Sequence, residues 1–276
     1  MLLAGISLFG GSASAASGAD DARPLTAGEC AAMRERVRVV ARTDRGDVPA
    51  GLRDADRCAA LPGLSEAQRV DHIRDGARVR AQLGDPVGAE KGFRRALELK
   101  ADDAGALYGL AQVLRDRPAE GVRVAERAAR AAATARRKAL AHRLAGEIQM
   151  DAGDLAGARA SLERALKLAD DDLETLRDLV LVNRDRPQDA SAYALRAVGV
   201  ADAVPVWLRP AAYRYCAHTF LEIQDSTGAV KSFQRALEVD PPFDRYMFIE
   251  ANAGRFEELR KLEGDFPTMK SRIAFR

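Results

Sequence analysis

The sequence predicts an all-α protein built as a stack of helical hairpins, an α-solenoid. Three observations lead there. Ala, Leu, Arg and Glu dominate a chain of 276 residues in which 47% are apolar and 5% aromatic. These are strong helix formers, and no β-branched clusters interrupt them. One phrase then occurs three times: GDPVGAEKGFRRALEL from Gly84, GDLAGARASLERALKL from Gly153 and QDSTGAVKSFQRALEV from Gln224. Within each phrase a small, a bulky and a small residue stand four and three places apart: Ala89, Phe93, Ala96; Ala158, Leu162, Ala165; Ala229, Phe233, Ala236. That spacing puts the three on one helical face. Alanine-sized notches there admit a neighbouring helix, and the larger side chain fills the gap between them.

From the N-terminus, residues 1–16 read as a signal-peptide-like leader. A short apolar run, Leu2 to Phe9, is followed by small residues, and Ala13 and Ala15 make an A-x-A pattern with cleavage after Ala15 or Ala16. No Lys or Arg precedes the run, so the leader reads as truncated. The run is also too short to cross a bilayer. A Gly/Ser/Ala tail on a cytoplasmic protein is the other reading. Residues 17–25 follow as a linker. Residues 26–69 hold two helix-like segments, one opened by Thr26 and carrying Cys30, the other carrying Cys58. A disulfide between these cysteines would stabilise the fold by roughly 3–4 kcal/mol on the chain-entropy estimate, and an oxidising compartment would permit it. Two ordinary buried thiols are the alternative.

Each phrase is the second helix, B, of a hairpin, and Gly84-Asp85 and Gly153-Asp154 supply the turn before it. Twelve residues ahead of the first small residue stands another one, Ala77, Gly146 or Ala217. A small residue on helix A thus faces a small residue on helix B. Two weaker hairpins lie between the clear ones. The first places Leu107, Leu110, Ala111 and Leu114 on helix A and Gly121, Ala125 and Ala128 on helix B. The second repeats that layout with Leu176, Leu179 and Val180, then Ala190, Ala194 and Ala197. Both carry RDRP at the turn, which sets Pro118 and Pro187 in the first turn of helix B, where a missing N–H costs little. Gly121 and Ala190 are 69 residues apart, as are Gly84 and Gly153. Duplication of a two-hairpin block explains both.

This pattern resembles the tetratricopeptide repeat family, whose 34-residue unit has small residues at its eighth, twentieth and twenty-seventh places. The resemblance covers about Val70 to Asp244 as five units: 70–103, 104–138, 139–172, 173–209 and 210–244. The family's aromatic at the fourth place of helix A is mostly absent, with Ile73, Leu107, His142, Leu176 and Tyr213 standing there. Inner repeats leave an apolar face bare, so helical caps are expected at both ends. Residues 26–69 would cover one, and residues 245–276, with Tyr246–Leu262 as an incomplete hairpin, the other. The resemblance implies that helix A of each unit lines a concave groove, with its fifth and ninth places pointing inward. The fifth place gives Arg74, Tyr108, Arg143, Arg177 and Arg214; the ninth gives Arg78, Gln112, Glu147, Leu181 and His218. A protein or peptide partner in that groove is the implied ligand. The arginines suit an acidic or C-terminal segment, because guanidinium groups bind carboxylates in bidentate fashion. The same arginines could instead pair with local Glu and Asp.

Nothing points to catalysis, to a metal or to a cofactor. His72, His142 and His218 fall in three different units, none beside a nucleophile or a second ligand. His142 takes a packing place, and His72 is expected at the periphery. Cys216 takes the seventh, buried place and reads as an inert core thiol. No C-x-x-C, G-x-G-x-x-G or Walker-type sequence occurs. Asp170 to Asp172 read as solvated residues of a repeat junction. The formal charge is +2, and of 43 basic residues 36 are Arg, interleaved with Asp and Glu. Without a one-sided basic stripe carrying aromatics, nucleic-acid binding is not expected.

The expected function is a non-enzymatic adaptor or scaffold, periplasmic or secreted, without stable membrane insertion of the mature chain. A regulatory or sensory fragment of a longer membrane-anchored signalling protein is the second reading.

Overall fold

A computed structural model describes Thr26, residues 28–30 and residues 58–239. The expected leader, the linker, most of the N-terminal cap region and the C-terminal segment from 240 onward lie outside the described residues. Between Glu66 and Val239 the chain forms ten α-helices in five antiparallel pairs. These are α1 (Glu66–Gln82) with α2 (Pro86–Leu99), α3 (Ala104–Val113) with α4 (Pro118–Ala131), and α5 (Ala135–Asp151) with α6 (Leu155–Leu168). Then come α7 (Leu173–Val182) with α8 (Pro187–Ala203), and α9 (Arg209–Glu222) with α10 (Ser226–Val239). A short 3₁₀ turn, Val206–Leu208, leads into α9.

Local chemistry sets these limits. Asp85, Asp154 and Asp225 each accept a hydrogen bond from a backbone N–H three residues on, at 2.8, 2.9 and 2.9 Å, and so satisfy a donor that helix geometry leaves orphaned. Ser65 and Gln68 close a capping box at the start of α1. Pro118 and Pro187 open α4 and α8, which have no side-chain cap. The turns before α2 and α6 pass through left-handed backbone at Gly84 and Gly153, both at φ 78°. Glycine enters that region without a Cβ penalty. In the third copy Gln224 occupies the same place at φ 60°.

The notches work as the spacing implies. Ala89, Phe93, Ala96, Ala158, Leu162, Ala165, Ala229, Phe233 and Ala236 are all at most 2% exposed. Their partners on helix A, Ala77 and Ala217, are fully buried. At Gly146 the approach is closer still: a Cβ there would stand 2.7 Å from Leu162 Cγ. The weaker hairpins pack the same way, with Leu107, Leu110, Leu176, Leu179, Ala125 and Ala194 buried. The apolar core therefore runs from hairpin to hairpin along the stack.

Helix A of each unit touches helix A of the next, through α1, α3, α5, α7 and α9, whereas successive B helices meet marginally at most. A stack whose one layer is drawn together bends toward that layer. Helices A thus form the inner wall and helices B the outer.

Cys30 and Cys58 are joined by a disulfide and both are buried. Ala59 beside it joins the core that holds Val70 and Ile73. His72 is 5% exposed, in contrast to the peripheral position expected for it.

Candidate partner-binding groove

Four of the expected groove residues meet around one recess of about 740 Å³ on the inner wall. Arg74 and Arg78 come from α1, Tyr108 and Gln112 from α3, and the N-terminal part of α5 closes the far side with Arg137, Leu140 and Ala141. Gly105, Gly109, Ala128 and Ala132 are among its lining residues, as are Asp71, Asp102 and Asp103. Arg78 and Lys100 keep side-chain exposures of 47% and 54% at the rim, and Arg137 is exposed. Burial pushes the Tyr108 phenol up, against the nearby Arg143, so the ring presents a neutral hydroxyl.

The fifth-place arginines, in contrast, are largely committed within the protein. Arg74 has 14% side-chain exposure and meets Asp71 at 2.6 Å, Asp103 at 3.2 Å and Asp75 at 3.9 Å. Burial pulls its guanidinium down, and Asp103, Asp71 and Asp75 more than reverse that, holding it above the ordinary value. Arg143, with 15% exposure, meets Glu174 at 2.7 Å, Glu147 at 3.0 Å, Asp172 at 3.8 Å and Asp178 at 3.9 Å. Arg177 lies 3.7 Å from Glu222, and Arg214 is half-buried on α9. His218, at the ninth place, is exposed and sets its ring edge-on against Phe233 of α10 at 5.7 Å. Of the two readings of these arginines, local pairing is the one seen at Arg74 and Arg143, which internal carboxylates already surround.

A rule connects these pairs. Asp103 and Asp172 close their units and cap the next helix A, accepting from Ala106 N at 2.9 Å and Thr175 N at 3.2 Å. Each also receives the fifth-place arginine of its own unit, Arg74 or Arg143. The first arginines of the two RDRP turns behave alike as well. Arg115 reaches Asp151 at 2.7 Å and also Glu147, and Arg184 reaches Glu222. Both Asp151 and Glu222 stand at the thirteenth place of the following unit. Carboxylates that cap the next helix A or stand on it thus tie α1, α3, α5 and α7 to their successors along the inner wall. Sequence reasoning placed Asp172 in a solvated junction and overlooked Asp103 and Asp178. The recurrence of Arg and Asp 29 residues apart in the first and third units was the signal available.

Among the described residues, no group of three His, Cys, Asp or Glu side chains is arranged to hold a metal ion, and no helix is long and apolar enough to cross a membrane. Cys216 is fully buried, and burial pushes its thiol up to about 12, which leaves it without thiolate character at neutral pH.

The comparison with solved structures returns tetratricopeptide repeat proteins. The chain has the tetratricopeptide repeat fold. PilW, a type IV pilus biogenesis factor, is similar at a TM-score of 0.56 and 17% identity, over 86% of this chain and 99% of that one. PilF of Pseudomonas aeruginosa is similar at a TM-score of 0.54 and 14% identity, over 81% and 99%. The assembly chaperone of RpL4 is similar at 0.58 and 15%, over 85% and 99%. No protein-family model and no curated protein matches the chain. These likenesses show the tetratricopeptide fold.

Proposed function

We propose that this tetratricopeptide solenoid is a non-enzymatic adaptor that holds a segment of a partner protein along the wall made by its A helices. One observation carries the reading: a recess of about 740 Å³ lined by small residues, by Tyr108 and by charged groups that include the exposed Arg78, Lys100 and Arg137. A peptide segment fits such a recess because small lining residues leave room for its backbone while the charged groups select its side chains. Arg78 and Lys100 pair with Asp75 at 3.4 Å and Asp103 at 3.7 Å yet keep about half of each side chain exposed, and with the exposed Arg137 they are the cations of this recess that an acidic partner segment would meet. An extracytoplasmic location is part of the proposal. It is supported by the leader-like start and by the Cys30–Cys58 bridge, which an oxidising compartment favours.

Affinity capture from the cell envelope tests the groove. A partner retained by the wild type and by an outer-face variant, Arg95→Ala with Arg123→Ala, should be lost at least tenfold from Arg78→Ala with Arg137→Ala. Equal retention by both variants would remove the groove reading. Intact mass of the protein from fractionated cells tests export. A chain beginning at Ala16 or Ser17 in the envelope fraction is expected; a full-length chain in the cytoplasm would rule export out.

A further inference from the structure

Arg143 stands among four carboxylates, Glu147, Asp172, Glu174 and Asp178, all within 3.9 Å. Two other guanidinium groups share them: Arg115, which binds Glu147, and Arg177, whose field acts on Asp178. Arg115 and Arg177 are themselves shared with Asp151 and Glu222, so carboxylates remain in excess around Arg143. Exposure decides which of them bears that excess badly. The Glu174, Glu147 and Asp172 side chains keep 57%, 24% and 21% exposure, and Asp178 keeps 11%. Asp178 Oδ2 is also buried without a hydrogen-bond partner among the described residues, and Arg143 Nη1 at 3.9 Å is too far to donate one.

The surroundings offer Asp178 little else. From α6 and α8, Leu162, Leu166, Ala194 and Ala197 pack into the cores that hold α7, and the charged Arg159 of α6 reaches α7 at Asn183 and the Val182 carbonyl. From α9 comes Tyr215, whose phenol burial pushes up to about 12, so it stays neutral while Asp178 titrates. A charged carboxylate oxygen with neither water nor a donor is costly, and protonation relieves it.

We infer that Asp178 is a proton switch: taking up a proton removes the excess negative charge around Arg143 and makes this stretch of the groove one unit more positive. Burial first, then Glu147 and Glu174 against Arg143 and Arg177, push its carboxyl up to about 7. The switch therefore operates between about pH 6 and pH 8. Resting on the groove reading above, an acidic partner segment that continues from the recess along the inner wall past Arg143 is held more tightly at the lower pH, by up to about tenfold at low ionic strength. By reciprocity, its binding draws a proton onto Asp178.

Carboxyl NMR of the full chain, carbon-labelled at Asp, tests the switch without any partner. One resonance should titrate with a midpoint between about 6 and 8 and be missing from Asp178→Asn. The Arg143 Nε–H signal should follow that midpoint in the wild type and stay fixed in the variant. An Asp178 midpoint below about 5, or an Arg143 signal that ignores it, would overturn the inference. Should Asp178→Asn misfold, Glu147→Gln serves instead: loss of the neighbouring carboxylate should lower the Asp178 midpoint, and an unmoved midpoint counts against the switch. Binding of an octaglutamate peptide at pH 6 and pH 8 then tests the coupling. A gain at pH 6 that vanishes in Asp178→Asn supports it, and a gain equal in both proteins refutes it. A peptide that binds at neither pH, with the titration observed, ends the acidic-partner reading and leaves the switch established.

Discussion

Replacing Gly146 with Ala adds one methyl group where α5 and α6 approach most closely, and the outcome can be worked from the geometry. The new Cβ would lie 2.7 Å from Leu162 Cγ, 2.9 Å from its Cδ2 and 3.3 Å from the Ala158 carbonyl oxygen. Carbon atoms in contact sit about 3.5–4.0 Å apart, so one helix must shift by about 1 Å. Leu162 cannot simply rotate away, since Cγ is its branch point and the residue is fully buried. Overpacking of this kind costs about 1–3 kcal/mol. Alanine returns about 1 kcal/mol through its better helix propensity. The expected net result is a loss of up to about 2 kcal/mol. Gly199, inside α8, supplies the control: nothing lies within 4 Å of a Cβ there, so Gly199→Ala should gain about 1 kcal/mol. The same chemical change then gives opposite signs, readable as opposite shifts of the urea midpoint followed by circular dichroism at unchanged m-value. Trimming the neighbour should couple to it: in a Leu162→Ala background the Gly146→Ala penalty should disappear. Equal stability of Gly146→Ala and Gly199→Ala would refute the close-packed notch on which the fold rests.

Other outcomes follow from the same structure. Gln224 holds a left-handed conformation that glycine holds in the other two copies, so Gln224→Gly should stabilise by about 1 kcal/mol in thermal denaturation. Thiol titration should find no reactive cysteine in the native protein, one after denaturation without reductant, and three after reduction; three without reductant would contradict the bridge. The carboxyl of Asp178 is raised to about 7 in the folded state, above the unfolded value of about 3.9. The folded protein keeps the proton longer, so stability is lost as pH rises from about 4 to 7 and levels off above. Asp178→Asn should therefore gain on the wild type across that window, by up to about 4 kcal/mol from a shift of about three units. A stability difference independent of pH would show that Asp178 is charged throughout.

Much of the fold was legible in the residues. The small–bulky–small spacing located both faces of each hairpin, and the Gly-Asp and RDRP turns marked the starts of α2, α4, α6 and α8, because these are interactions within a few residues of chain. The alternation of A-helix lengths, 17, 10, 17 and 10 residues over the first four units, follows the same duplication that the 69-residue spacing shows. The candidate site was legible only as a set of places. Arg74, Arg78, Tyr108 and Gln112 do share one recess, yet the state of each charge was hidden. Arg74 and Asp103 are 29 residues apart in sequence and 3.2 Å apart in space, and a repeat pattern names positions without naming their partners.

The division has a physical origin. Helix period, capping and the size of side chains at the notches are properties of neighbouring residues, so the sequence by itself determined how the hairpins form and interlock. Which guanidinium groups remain for a partner, and whether Asp178 carries its charge at neutral pH, were decided only by the tertiary structure. Desolvation and Coulomb energy depend on what α5, α7 and α9 place around a group through space. That neighbourhood exists only once the units are stacked.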